Sequence, residues 1–239
     1  MSQRYFSESA ITSGTVELTG QEAHHLLHVM RMKPGADLVL FDGQGAEFRA
    51  RIVEVSRASA NLEILERMDT DRELPLKITV GVALPKGDRQ RWLVEKAVEL
   101  GIHRFVPLQT ERGVAQPTAN GLVRLRRTAV EACKQCGRNH VPEIGSAQSF
   151  RAFIGGASDE GPRLLAHPGG EASIRSLANG ALQSAAAAVL AIGPEGGFTD
   201  DEVAAAMEAG WSTVNLGPRV LRVETAALAL IAASALLVE

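Results

Sequence analysis

Cysteine is scarce in this sequence: Cys133 and Cys136 are its only two. That excludes a disulfide framework and fits a reducing, cytoplasmic compartment. A secretory leader is not expected, because Met1-Ser2-Gln3-Arg4-Tyr5-Phe6 lacks an apolar core. Long hydrophobic runs are missing too. The most apolar stretch, residues 226–238, has 13 residues, too few to span a bilayer and suited to a buried helix. There is no G-x-G-x-x-G, no Walker loop and no G-x-S-x-G elbow, so dinucleotide, NTPase and hydrolase readings lose support. Metal-ligand patterns are equally thin. Cys133-x-x-Cys136 has no second cysteine pair and falls inside a helical pattern, where structural thiols are expected. His24 and His28 lie four apart without an evident third ligand, so a surface pair is expected and no metal site.

What remains is ample material for a core: 45% of the 239 residues are hydrophobic. The net charge of −3 argues against a generally basic nucleic-acid binder, yet it averages over an asymmetry. Residues 86–140 carry eleven Lys/Arg against five Asp/Glu, and residues 160–239 carry four against nine. Such segregation suggests a basic face for a polyanion, although solvated helix faces would give the same pattern.

The first 70 residues read as short strands at 15–18, 38–42, 47–55 and 61–66, with Asp42-Gly43-Gln44-Gly45 as a hairpin turn. Thr19-Gly20-Gln21-Glu22 has the spacing of a capping box, and Leu26, Val29 and Met30 continue a helix that Lys33-Pro34-Gly35 ends. A small β-barrel with one helix is expected. Composition turns polar around 69–75, and the rhythm then changes to strands at 77–84, 104–108, 163–166, 187–192 and 213–216. Helical patterns at 88–100, 122–136, 171–178, 200–209 and 225–238 alternate with or follow them. This predicts an α/β domain with a mainly parallel sheet.

Three segments carry chemistry. After the strand at 187–192 comes Gly193-Pro194-Glu195-Gly196-Gly197, and Thr199-Asp200-Asp201-Glu202 then opens a helix as a second capping box. A glycine-rich turn at the carboxyl end of a parallel strand is where open α/β sheets bind ligands, though a bare tight turn would look the same. The second segment, Leu216-Gly217-Pro218-Arg219-Val220-Leu221-Arg222-Val223-Glu224-Thr225, also follows a strand and precedes the apolar last helix. Two arginines and a glutamate there are costly to desolvate without partners and hint at a site. A plain helix entry, with Glu224 favouring the dipole, is the alternative. The third is a helix from Asn120, a plausible N-cap, on which Arg127, Glu131, Lys134, Gln135 and Arg138 form one polar stripe, opposite Val123, Val130 and Cys133. The stripe suits phosphate and base contacts, or ordinary i,i+4 pairs.

Taken together, the chain resembles the SPOUT-superfamily 16S ribosomal RNA (uridine-N3) methyltransferases over nearly its whole length. The resemblance rests on Arg4-Tyr5-Phe6, His24-His25-Leu26, Val29 to Gly35, Lys86-Gly87-Asp88-Arg89, Glu95 to Gly101, Ile192 to Gly197 and Leu216 to Thr225. It departs from the pattern at Cys136, where serine is usual, and at Val223, where threonine is common. The resemblance implies a PUA-like barrel over residues 1–70 that helps bind RNA. It implies a trefoil-knotted methyltransferase domain over 74–239 and a homodimer acting on 16S RNA, most simply within the 30S subunit. It also places S-adenosylmethionine against Leu165, Ala166, His167, Pro168, Gly193, Pro194, Glu195, Gly196, Gly197, Leu216, Gly217, Arg219, Val220 and Leu221.

Uridine N3 must lose its proton before or during attack, so an arginine near the base oxygens would stabilise the developing anion. Arg222 is the first candidate and Arg138 of the second subunit the next. Glu224 is expected to act as base or, preferably, to orient Arg222. Arg4, Arg31, Lys33, Lys86, Arg124, Arg127, Gln135 and Arg138 are the expected RNA contacts. The rivals are a SPOUT enzyme modifying a ribose 2′-hydroxyl or a tRNA base, and an RNA-binding assembly factor that has lost catalysis.

Overall fold

A computed structural model describes residues 3–12, 14–115, 117–157, 161–173 and 182–237. The chain forms two compact units, Met1–Glu73 with Cys133–Val141, and Leu74–Ala132 with Pro142–Glu239. The return of Cys133–Val141 to the first unit lies far from any cut near residues 70–74.

In the first unit, β1 (Arg4–Phe6), β2 (Thr15–Leu18), β3 (Asp37–Phe41), β4 (Glu47–Val55) and β5 (Ala60–Met68) form one sheet in the order β1-β3-β4-β5-β2. Only the β1–β3 pair is parallel. Strand β4 shows why the sheet has an inside. Phe48, Ala50 and Ile52 are buried while Arg49, Arg51 and Val53 face out, the period of two expected of a half-buried strand. Those residues join Tyr5, Leu18, Leu26, Leu40 and Leu62 in one core. Strand β1 escapes a reading of pattern because three residues carry no periodicity.

The helix here differs from expectation. α1 (Gly20–His24) runs directly into a π-helical turn, His25–Val29. Thr19 stands at its N-cap but makes no side-chain cap. The Glu22 carboxylate is taken elsewhere, by the Phe6 backbone N–H at 3.2 Å and Lys134 Nζ at 2.8 Å, so no capping box closes.

In the second unit, β6 (Lys77–Ala83), β7 (Arg104–Gln109), β8 (Glu143–Ile144), β10 (Arg163–Ala166), β11 (Ala172–Ser173), β12 (Ala187–Ile192) and β13 (Ser212–Asn215) run in the order β11-β13-β10-β12-β6-β7-β8, with β9 (Gln148–Ser149) also on β7. Every pairing is parallel. Helices α2 (Arg89–Glu99), α3 (Ala119–Cys136, its last four residues counted in the first unit), α4 (Phe150–Gly155), α5 (Asp200–Glu208) and α6 (Val223–Leu236) accompany them. β6 and β12 are near-continuous apolar runs because helices cover a parallel sheet, and α6 packs on both as well as on α2.

β13 enters between β10 and β11, two earlier strands separated by five residues, 167–171. A later strand thus occupies a gap framed by two earlier ones.

Three local expectations need correction. α3 begins at Ala119, and its first turn is capped by Thr118, whose Oγ1 accepts from Gly121 N at 3.0 Å, not by Asn120. Val123 is exposed, and the buried side of α3 is Leu125, Thr128, Ala129, Ala132 and Cys133. The helix expected at 171–178 is a strand at Ala172–Ser173, and residues 174–178 lie outside the described part. The second capping box forms in full: Glu202 N donates to Thr199 Oγ1 at 3.2 Å, and Thr199 N to Glu202 Oε2 at 2.9 Å.

Candidate functional site

A cleft of about 380 Å³ opens at the carboxyl ends of β10, β12 and β13. That falls within the ~300–1,000 Å³ of small-molecule sites, and the carboxyl ends of parallel strands are where such sites form. Three loops wall it. The first supplies Ala166, His167 and Pro168, the second Ile192 to Phe198, and the third Leu216, Gly217, Arg219, Val220 and Leu221.

Local chemistry explains each loop's path. Gly197 has φ +70° and Gly217 φ +112°, conformations that side chains resist, so glycine at both lets the chain reverse beside the cleft. Gly197 N closes the second turn on Pro194 O at 2.9 Å. Asn215 ties the other two loops together, its Nδ2 donating to Pro168 O at 2.6 Å while its Oδ1 accepts from Gly217 N at 2.7 Å.

All the residues that the resemblance assigned to cofactor line this cleft except Leu165, whose side chain points into the core. Ile192, Phe198, Asp200, Val223 and Ala226 also line it and were not anticipated. Nor was Arg112, brought by the turn after β7, whose Nη1 donates to Gly196 O at 2.9 Å. No motif distinguishes Arg112 in the sequence; only the neighbouring strands bring it to the loop. Val223, a departure from the family pattern, is buried and presents a methyl where threonine would present a hydroxyl.

The expected catalytic set does not assemble as foreseen. Arg222 is exposed at the N-cap of α6, between two cleft-lining residues, and pairs with no carboxylate among the described residues. Glu224 is buried, and its partner is Arg89, whose Nη1 lies 3.5 Å from Oε1, so it does not orient Arg222. Arg138 is 4% exposed, with Nε on Glu73 Oε1 at 2.9 Å and Nη2 on Glu73 Oε2. Arg4 is similarly engaged with Glu47, Asn139 and the Arg138 carbonyl. Burial in ion pairs removes both arginines from the expected phosphate contacts, and Arg138 from the expected catalytic ones.

The other expected RNA contacts remain exposed: Arg31, Lys33 and Gln135 in the first unit, and Lys86, Arg124 and Arg127 in the second. Arg31, two residues past the π-turn, has φ +53°, uncommon for a residue with a side chain. The rings of His24 and His28 lie 4.9 Å apart. Among the described residues no group of three potential metal ligands occurs, and no helix is long and apolar enough to cross a membrane. Burial pushes the Cys133 thiol up to about 12, in keeping with a structural role.

Known proteins match this architecture throughout. A family described as "RNA methyltransferase domain" matches residues 72–235, and one described as "RNA methyltransferase PUA domain" matches 18–65. Ribosomal RNA small subunit methyltransferase E of Bacillus subtilis is 34% identical over 95% of this chain and 93% of its own. The protein of that name from Synechocystis is 36% identical over 90% of this chain and 71% of its own. Among solved structures, that of the Neisseria gonorrhoeae protein of the same name, bound to S-adenosylmethionine, superposes with a TM-score of 0.89. It is 34% identical and covers 98% of this chain and 96% of its own. A Legionella pneumophila structure with the same bound cofactor gives a TM-score of 0.90 at 33% identity, over 98% of this chain and 97% of its own.

Proposed function

Because this chain belongs to the ribosomal RNA small subunit methyltransferase E family, we propose that it methylates N3 of a uridine in 16S ribosomal RNA with S-adenosylmethionine. The observation that carries this reading is the cleft itself, walled by three loops from adjacent parallel strands.

The residues present fit the cofactor. Gly193, Gly196, Gly197 and Gly217 leave backbone groups accessible for polar contacts, and Ile192, Phe198, Val220 and Leu221 offer apolar surface to an adenine ring. Arg112, Asp200 and Glu195 place both signs of charge on the wall, suited to a zwitterionic methionine end. When bound there, S-adenosylmethionine supplies an electrophilic methyl group on a sulfonium.

The chain's own contribution is positioning and charge stabilisation. The three loops hold the donor in one orientation, and alignment of this kind supplies much of the acceleration of a displacement. Arg222, exposed at the N-cap of α6 and free of carboxylate partners among the described residues, stabilises negative charge on the uridine oxygens as N3 loses its proton. The target base has to be unpaired, since N3 lies on the Watson–Crick edge. Lys86, Arg124 and Arg127 of the second unit, and Arg31 and Lys33 of the first, supply phosphate contacts. In this reading the first unit is a PUA-like RNA-binding domain, and the enzyme is a cytoplasmic homodimer acting on 30S subunits.

The test is an assay of purified protein with methyl-labelled S-adenosylmethionine and 30S subunits from cells lacking this gene. Labelled 3-methyluridine in the 16S RNA is the expected product. Label in another nucleoside would reassign the substrate, and absence of cofactor binding would leave only an RNA-binding role.

A further inference from the structure

Arg89 opens α2, and its guanidinium is shared between two carboxylates that belong to different elements. Nη2 lies 3.3 Å from Glu195 Oε1, in the glycine-rich loop, and Nη1 lies 3.5 Å from Glu224 Oε1, in the first turn of α6. The two acids sit in unlike surroundings. The Glu195 side chain is 41% exposed and lines the cleft, whereas that of Glu224 is 8% exposed and lies behind it. Glu224 Oε2 is sealed from solvent with no hydrogen-bond partner, so Arg89 is the one cation paired with this acid among the described residues.

A buried carboxylate strongly resists losing its only counter-charge. Glu224 therefore anchors Arg89, and the anchored guanidinium presents its second amino group to Glu195 in the loop. Arg112 holds the next residue of that loop through the Gly196 carbonyl. The loop contains three glycines, 193, 196 and 197, and glycine backbone has many conformations of similar energy unless something outside the loop holds it.

We propose that Arg89 is a positioning residue for methyl transfer: bridging Glu224 and Glu195, it fixes the Gly193–Gly197 loop in its cofactor-binding conformation. This rests on the reading of the cleft as a cofactor site. Arg89 touches neither methyl donor nor base; it acts through Glu195. A merely structural Arg89 would neutralise Glu224 and leave the loop unaffected, and that difference is measurable.

The experiment compares wild type, Glu195→Gln, Arg89→Lys and the double variant. It uses calorimetric affinity for S-adenosylmethionine, the melting temperature of the cofactor-free protein, and kcat and KM with 30S subunits. Glu195→Gln releases the loop without leaving a buried charge, so it folds whatever Arg89 does for stability. Lysine at 89 keeps a charge for Glu224 but serves one carboxylate instead of two. Both single variants are expected to weaken cofactor affinity about tenfold at nearly unchanged melting temperature, and the double variant to be no worse than either. The cofactor KM should rise accordingly, with kcat much less affected. Affinities within twofold of wild type, or losses that simply add in the double variant, overturn the proposal. Failure of the wild type to bind S-adenosylmethionine would remove the functional reading and this proposal together. A wild type that binds and methylates beside variants that match it would remove this proposal alone.

Discussion

In the first unit the ion pairs formed by Arg4, Glu47, Arg138 and Glu73 are largely buried, and these four side chains hold strand β1, strand β4 and the Cys133–Val141 segment in place. In the second, Arg112, Arg219 and Arg222 are exposed around a cleft whose turns are set by glycine and by an asparagine staple. One region uses charge to specify its own packing, and the other keeps charge available to a ligand. As letters in a sequence, Arg4 and Arg222 look alike; what separates them is whether a carboxylate is folded against the guanidinium. Glu224 with Arg89 is the exception, a buried carboxylate paired with a half-exposed guanidinium beside the cleft.

The largest expected effect strikes the first unit. Glu47→Ala leaves Arg4 buried without its counter-charge and should lower unfolding free energy by about 3–5 kcal/mol. Denaturant melts of the two proteins would show it, and a change under about 1 kcal/mol would mean that water reaches Arg4. The same pair predicts acid sensitivity. Burial raises the Glu47 carboxyl, but hydrogen bonds from Arg72 and Arg4 outweigh that and hold it below the usual glutamate value. Its stabilisation is therefore present above the ordinary carboxylate range and lost as pH falls through the lowered folded value. Melting temperature against pH should fall more steeply in wild type than in Glu47→Ala.

Next in size is Arg222→Ala, which should reduce kcat about 10²–10³-fold, the range for loss of a donor to a developing oxyanion. Cofactor affinity, read by calorimetry, should hardly change. Equal losses in both would place Arg222 in ground-state binding instead. The smallest effect is Gly197→Ala. An added Cβ meets nothing within 4 Å, so only the positive φ opposes it, at roughly 1–2 kcal/mol. Weaker cofactor binding, with little change in the stability of the cofactor-free protein, would show that this strain is released by the loop alone.

Much of the architecture was readable because it follows short-range rules. The alternation in β4 and the near-continuous apolar runs of β6 and β12 report burial on one face or two, and Thr199 with Glu202 forms its capping box within four residues. The identical spacing at Thr19 and Glu22 fails because Lys134, more than a hundred residues away, captures the carboxylate. The cleft was legible through its loops, whose glycines mark where the backbone must turn. Arg112 was not, since its partner is a carbonyl in a loop met 84 residues later. Arg138 misled for the same reason: its helical spacing with Arg127 and Gln135 implies a shared exposed stripe, while Glu73 draws it inward.

By itself the sequence determined the two-part organisation of strands, the alternation of strand and helix after residue 76, and the turns whose glycines wall the cleft. Each of these depends on neighbours within a few residues, where periodicity, capping and backbone freedom act. Only the tertiary structure decided that β13 enters between β10 and β11, that Arg4 and Arg138 serve packing, and that Arg89 joins Glu195 to Glu224. Those outcomes turn on which charges meet across long stretches of chain and on how much water remains around them, and no local pattern encodes either.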